Sequence, residues 1–307
     1  MNAPRFRGVG PALVTPMFSD GTLDLPTFRT HVERVIRAGV HFVVPCGTTG
    51  ESATMTPDEQ AEVIGCCVEV VDGRVPVMAG AGTNDTRDAA ALARRAAAAG
   101  ADAILSVSPY YNKPTQEGIF RHYSAVAEAA EIPVFVYNVP GRTSSNVAPE
   151  TLFRLAEEVE WIAGIKEASG NLAQVMTLLS ERPDGVTVLS GDDDLTYPFL
   201  SMGADGVISV AANEVPGAMA ALCDAMFDGD TERALALHWR LLPLLRANFV
   251  ESNPIPVKTA MEILGHFDAH FRLPLVPMTD GGRVALQNAL RVAGAFEDVG
   301  VSTGSGG

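Results

Sequence analysis

The chain has 307 residues, 47% of them apolar, which is ample for a large core and excludes disorder over most of its length. A formal net charge of −15 argues against nucleic acid or an anionic membrane as main partner, because both need a basic footprint. No stretch nears the ~18 consecutive apolar residues of a membrane span, and "MNAPRFRGVG" lacks a signal peptide's apolar core, so a cytoplasmic protein is expected.

In chain order, "ALVTPM" (12–17) is the first apolar run of strand length. "DLPTFRTHVERVIRAG" then reads as a helix, with Phe28, Val32, Val35 and Ile36 on one face and Gly39 suited to its C′ position. After "HFVVPCG" (41–47), Thr56 can cap a helix, with Pro57 at its first position and Glu59 completing a capping box. "VPVMAGAG" (75–82) precedes "TRDAAALARRAAAAG", a helix by propensity that Gly100 can end. Five more runs follow: "DAILSVSPY" (102–110), "PVFVYNVP" (133–140), "WIAGIKEA" (161–168), "VTVLSGDD" (186–193) and "DGVISVAAN" (205–213). Beyond Asn213 the pattern is helical, and "VSTGSGG" reads as a loose tail.

Strands this apolar imply burial on both faces and hence a parallel sheet. Eight βα units in about 220 residues fit a closed (β/α)₈ TIM barrel better than an open doubly wound sheet. The expected organisation is an α/β catalytic barrel over 1–224, a C-terminal helical extension over 225–300 and a flexible tail over 301–307.

In such a barrel chemistry gathers where strands end. Those ends supply Thr48 and Thr49, Tyr110 and Tyr111, Tyr137 and Arg142, Lys166, Gly191 with Asp192–Asp194, and Ile208. Lys166 is the centre, one of three lysines with Lys113 and Lys258. An ammonium in an apolar site is disfavoured, and the free amine attacks carbonyls to give a Schiff base. The plainer alternative is a lysine paired with Glu167 or reaching out to solvent. "PCGTTGES" (45–52) is a Gly-rich turn whose N–H groups and two hydroxyls suit a carboxylate, and it lacks the GK[ST] ending of a nucleotide loop. A positioned phenol can move protons, although a tyrosine at a core edge is the commoner case. The Arg142 guanidinium matches a carboxylate, and the Asp192–Asp194 run reads as a solvated loop that caps a helix. The four cysteines form no CxxC pair and the six histidines no HExxH, so reduced thiols and no metal are expected. Cys46 is read as packing.

Taken together, "GTTGES", "PYYNKPTQEG", "YNVPGRT", "GIKEASGN", "SGDD" and "NPIPVK", in order from about Gly8 to Gly294, resemble the dihydrodipicolinate synthase family. That family lies among the pyruvate-dependent class I aldolases, with N-acetylneuraminate lyase. The resemblance implies condensation of pyruvate with L-aspartate 4-semialdehyde to 4-hydroxy-tetrahydrodipicolinate in lysine and diaminopimelate biosynthesis. It implies that Lys166 forms the imine, that Thr48 and Thr49 hold pyruvate's carboxylate, and that Thr48 links Tyr137 and Tyr111 in a proton relay. It further implies that Tyr111 reaches a neighbouring subunit's site, that Arg142 holds the semialdehyde's carboxylate, and that Gly191 and Ile208 contribute backbone. No cofactor beyond the covalent imine is implied, and the assembly is a homotetramer made of tight dimers.

Arg142 and the doubled Tyr110–Tyr111 favour this branch over a sister aldolase or dehydratase acting on a 2-keto-3-deoxy sugar acid or N-acetylneuraminate; a silent barrel serving as a binding scaffold is the third reading. An allosteric lysine site is implied at Ser52, Ala53, Asn84 and Tyr110. Pro57, Gln60 and Asp88 replace two histidines and a glutamate of that site, so weak or absent inhibition by L-lysine is expected.

Overall fold

The computed structural model describes residues 6–296. The expected tail, 301–307, and residues 297–300 of the expected helical extension lie outside the described residues. Seven parallel strands are found there: β1 (Gly8–Pro11), β2 (Met78–Gly80), β3 (Ala103–Val107), β4 (Val134–Asn138), β5 (Ile162–Glu167), β6 (Thr187–Ser190) and β7 (Gly206–Ser209), in the order β1-β7-β6-β5-β4-β3-β2. Six of the eight expected runs thus contain a strand.

The first two do not. β1 lies upstream of 12–17, which carries only single bridges at Ala12 and Met17. Two glycines make "GVGP" a poor strand by propensity, but close approach requires them. A Cβ on Gly10 would lie 2.1 Å from the Phe42 ring. The expected strand 41–47 is likewise reduced to two single parallel bridges, Ala12 to Val44 and Val43 to Val77. The segment is cut short by a turn in which Cys46 has φ +56°. Its backbone nonetheless serves both sheet edges: His41 and Val44 donate to Val9 and Pro11, and Met78 and Gly80 donate to Val43 and Pro45.

The first helices are α1 (Leu25–Arg37), α2 (Pro57–Val71), α3 (Thr86–Ala98), α4 (Gln116–Ala130), the short α5 (Pro140–Thr143) and α6 (Pro149–Glu158). They are followed by α7 (Leu172–Glu181), α8 (Thr196–Ser201), α9 (Pro216–Phe227), α10 (Thr231–Ala247), α11 (Ile255–Ile263) and α12 (Asp280–Ala293). The expected signals operate: Thr56 and Glu59 form the reciprocal capping box of α2, and Gly39 and Gly100 follow α1 and α3 with φ of +92° and +95°. Gly229 breaks the expected continuous helical stretch between α9 and α10.

Alternate strand residues feed two cores. Ile104, Val134, Val136 and Ile165 pack outward under the helices, while Leu105, Phe135, Tyr137, Leu189 and Ile208 share an inner cluster with Phe6, Phe42 and Val44. The sheet is therefore buried on both faces, as its composition requires.

Candidate active site

β4 and β5 pair in parallel with Tyr137 opposite Lys166 and Asn138 opposite Glu167. Period-two alternation sends the two pairs to opposite faces, the members of each pair lying side by side. Tyr137 joins the inner cluster, and the Lys166 amine lies 4.3 Å from its ring centroid. Lys166 is only 7% exposed. Glu167 faces the other way, accepting from Asn138 and Gln174 side chains at 2.9 and 3.1 Å and from the Ser169 N–H at 2.7 Å. The alternative that Lys166 pairs with Glu167 is therefore excluded by the pleat. Glu167 and Asn138 instead tie the two strands together directly behind the amine and the phenol.

Gly191 makes room for the lysine stem. A Cβ there would stand 2.9 Å from Lys166 Cε and 2.6 Å from the Ala168 Cβ, and its N–H donates to the Glu167 carbonyl at 2.7 Å. Ile208 is fully buried on β7 in the inner cluster.

The loop after the second bridge segment carries Thr48, half-buried, and Thr49, 2% exposed. Thr49 Oγ1 accepts from the Asn253 side chain at 3.0 Å. A cavity of about 680 Å³, within the usual range for small-molecule sites, has Thr48, Ser52, Tyr110 and Arg142 on its wall. Lys166 and Tyr137 are not on that wall; Val139, which is, packs in the same inner cluster as Tyr137. Arg142 is exposed on α5. Tyr110 is linked to Thr83 through its hydroxyl at 3.3 Å and to Asn84 through its carbonyl at 3.2 Å. Of the four residues implied for a lysine site, Ser52, Ala53 and Tyr110 line this cavity and Asn84 supports Tyr110 from behind. Tyr111 is not brought to the others: at φ +71° it points outward and is 89% exposed.

The acidic run is where sequence reading went furthest astray. Asp193 is buried, not solvated, and accepts from the Val210 and Ala211 N–H groups at 2.9 Å each, fastening the end of β6 to the end of β7. Burial lifts the Asp192 carboxyl from 3.8 to about 6, with the Lys166 charge opposing. A carboxyl that is harder to ionise folded than unfolded binds more protons in the native state, so its effect on stability worsens as pH rises. The window runs from 3.8 to about 6. Asp192→Asn should consequently gain melting temperature over wild type as pH climbs from 4.5 to 7 (), as followed by thermal unfolding; a constant difference would contradict it.

All four cysteines are buried free thiols, and burial pushes Cys46 up to about 12, which suits packing and not chemistry. Among the described residues no group of three or more His, Cys, Asp or Glu is placed to hold a metal ion, and no helix is long and apolar enough to cross a membrane.

A parallel α/β sheet with a nearly buried amine against a phenol, beside a rim of hydroxyls and a guanidinium, fits the class of lyases that work through a lysine imine. The profile of the Dihydrodipicolinate synthetase family matches residues 5–293, and the chain belongs to that family. It is 50% identical to the 4-hydroxy-tetrahydrodipicolinate synthase of Maridesulfovibrio salexigens, over 94% of this chain and 99% of the relative. The enzyme of the same name from Salinibacter ruber is 49% identical over 96% of each chain. Among solved structures, the chloride-inhibited dihydrodipicolinate synthase of Acinetobacter baumannii complexed with pyruvate is similar at a TM-score of 0.92 and 43% identity, covering 94% of this chain and 99% of that one.

Proposed function

We propose that this enzyme condenses pyruvate with L-aspartate 4-semialdehyde to 4-hydroxy-tetrahydrodipicolinate, in the cytoplasm and with no cofactor beyond its own lysine. The observation that carries the reading is Lys166, almost wholly buried yet with no ion pair among the described residues, opposite Tyr137 on one face of the sheet. The Lys166 amine adds to the pyruvate ketone, and loss of water gives the imine. Loss of a methyl proton then gives an enamine, with the imine nitrogen taking up the electron pair. The enamine carbon attacks the semialdehyde's carbonyl carbon. The semialdehyde's own amine next adds to the imine carbon, expels Lys166 and closes the ring.

Tyr137, Thr48 and Tyr111 are assigned the proton transfers, a contribution of about 10²–10⁴-fold. Thr49 shares pyruvate's carboxylate with Thr48, Arg142 takes the semialdehyde's carboxylate, and Gly191 and Ile208 contribute backbone. Outward-pointing Tyr111 supports a site completed by a second copy, in a homotetramer of paired dimers. We read the bridge segment 41–45 as the eighth stave of a (β/α)₈ barrel, because it bonds to β1 on one side and β2 on the other. Residues 1–224 then form the catalytic barrel and the helices beyond it the extension.

Arg142 separates this reading from a sugar-acid or sialic-acid aldolase. Arg142→Ala should raise the apparent KM for aspartate semialdehyde by about 10- to 100-fold, the loss of a charge-assisted contact. The yield of borohydride-trapped pyruvate should stay unchanged. An unaltered KM in steady-state kinetics would remove the substrate assignment.

Weak or absent feedback by L-lysine also belongs to the proposal, since Pro57, Gln60 and Asp88 all lie on the cavity wall with Ser52 and Tyr110. Inhibition at sub-millimolar lysine in the same assay would overturn it.

A further inference from the structure

The loop that carries Thr48 and Thr49 has turn hydrogen bonds of its own, from the Gly50 and Glu51 N–H groups to the Gly47 and Thr48 carbonyls, but it is also held from outside. Cys46 and Glu51 both adopt left-handed backbone, at φ +56° and +58°, and non-glycine residues keep that conformation only where their surroundings enforce it. Thr15 donates to the Gly50 carbonyl, and other side-chain fastenings come from more than 200 residues further along the chain. The Lys258 amine donates to Glu51 Oε1 at 2.6 Å and to the His270 carbonyl, and both members of the ion pair are fully buried. Arg272 reaches the Thr54 carbonyl at 2.8 Å and the Glu59 carboxylate.

Asn253 is the most informative of these contacts. Its side chain is buried, and its one side-chain hydrogen bond among the described residues is the donation to Thr49 Oγ1 at 3.0 Å. Its Oδ1 is buried without a partner. Burying an amide for a single bond is unfavourable, so the bond points to a task beyond packing. A hydroxyl has one proton and two lone pairs. Asn253 occupies a lone pair, and no acceptor among the described residues takes the proton.

We propose that Asn253 is a positioning residue for the condensation: it fixes the Thr49 hydroxyl so that its proton is offered to the keto acid's carboxylate, while Lys258 and Arg272 hold the loop. The inference rests on the reading of Thr49 as a carboxylate ligand, and the test keeps the two apart. Borohydride trapping is followed against pyruvate concentration, alongside steady-state kinetics and melting temperature, for T49V, N253A, N253D and T49V/N253A.

N253A should raise half-saturating pyruvate about tenfold, the worth of a hydrogen bond to a charged group, and leave the semialdehyde KM within about twofold. N253D should do worse at nearly constant shape, because a carboxylate only accepts and would draw the Thr49 proton to itself; it also carries the test if N253A does not fold. In the T49V background N253A should add nothing. Equal increments in both backgrounds, or both substrates' KM rising in step with a fall in melting temperature, would overturn the proposal while leaving Thr49's role intact. Normal trapping by T49V would remove that role and this inference together.

Discussion

Lys166→Ala should reduce kcat on the order of 10⁴- to 10⁶-fold, the scale on which enzymes lose their nucleophile. It should also abolish the mass increment that pyruvate and borohydride leave on the wild-type chain. The competing amines make the result specific. Lys113 is exposed on a loop, and Lys258 is fully buried against Glu51, so neither combines burial with a free approach. Lys166 alone is nearly buried with no ion pair among the described residues. The pleat sends Glu167 to the other side, and the Asp192 carboxyl, which feels the Lys166 charge, is itself made harder to ionise by burial. One adduct, lost with Lys166 and located there by peptide mapping, is the expected outcome. An adduct that survives the substitution, or maps to Lys258, would refute the mechanism at its first step.

Lys258→Met should be the most destabilising of these changes. Removing one member of a buried ion pair leaves the other charged and unpaired, at a cost of about 3–5 kcal/mol. Glu51 would be that group, and its backbone already sits in a left-handed conformation. Burial pulls the Lys258 ammonium below its ordinary pKa, with the Glu51 carboxylate working against that pull. Adding Glu51→Gln should recover much of the loss, because an uncharged amide removes the stranded carboxylate. Chemical denaturation of the single and double variants measures both numbers, and a single variant as stable as wild type would show the pair to be dispensable.

Much of the architecture was legible because it is written in local periodicity. Six runs announced strands, and capping residues such as Thr56 and terminators such as Gly39 announced helix limits. The misses have a common cause. β1 was passed over because its glycines look wrong for a strand, and their reasons are the His41 and Phe42 rings, more than thirty residues away. The second expected run looked right, yet its hydrogen bonds are shared between two sheet edges and stop at Cys46. The rim residues Lys166, Tyr137 and Thr49 were singled out because strand ends concentrate chemistry. Asp193 was misjudged because its partners, the Val210 and Ala211 N–H groups, lie just past the end of the next strand. Asn253 was quoted only as the first residue of "NPIPVK" and given no role, since no spacing rule links it to Thr49.

The latch from Asn253, Lys258 and Arg272 onto the Thr49–Glu51 loop bears on how the molecule is born. Thr49 and Lys166 leave the ribosome well before Asn253, Lys258 and Arg272, which fasten the loop. A growing polypeptide carries the Lys166 amine for almost a hundred residues of translation before the Thr49–Glu51 loop is locked. Catalytic competence then arrives as a late event in synthesis, after the sheet is already in place.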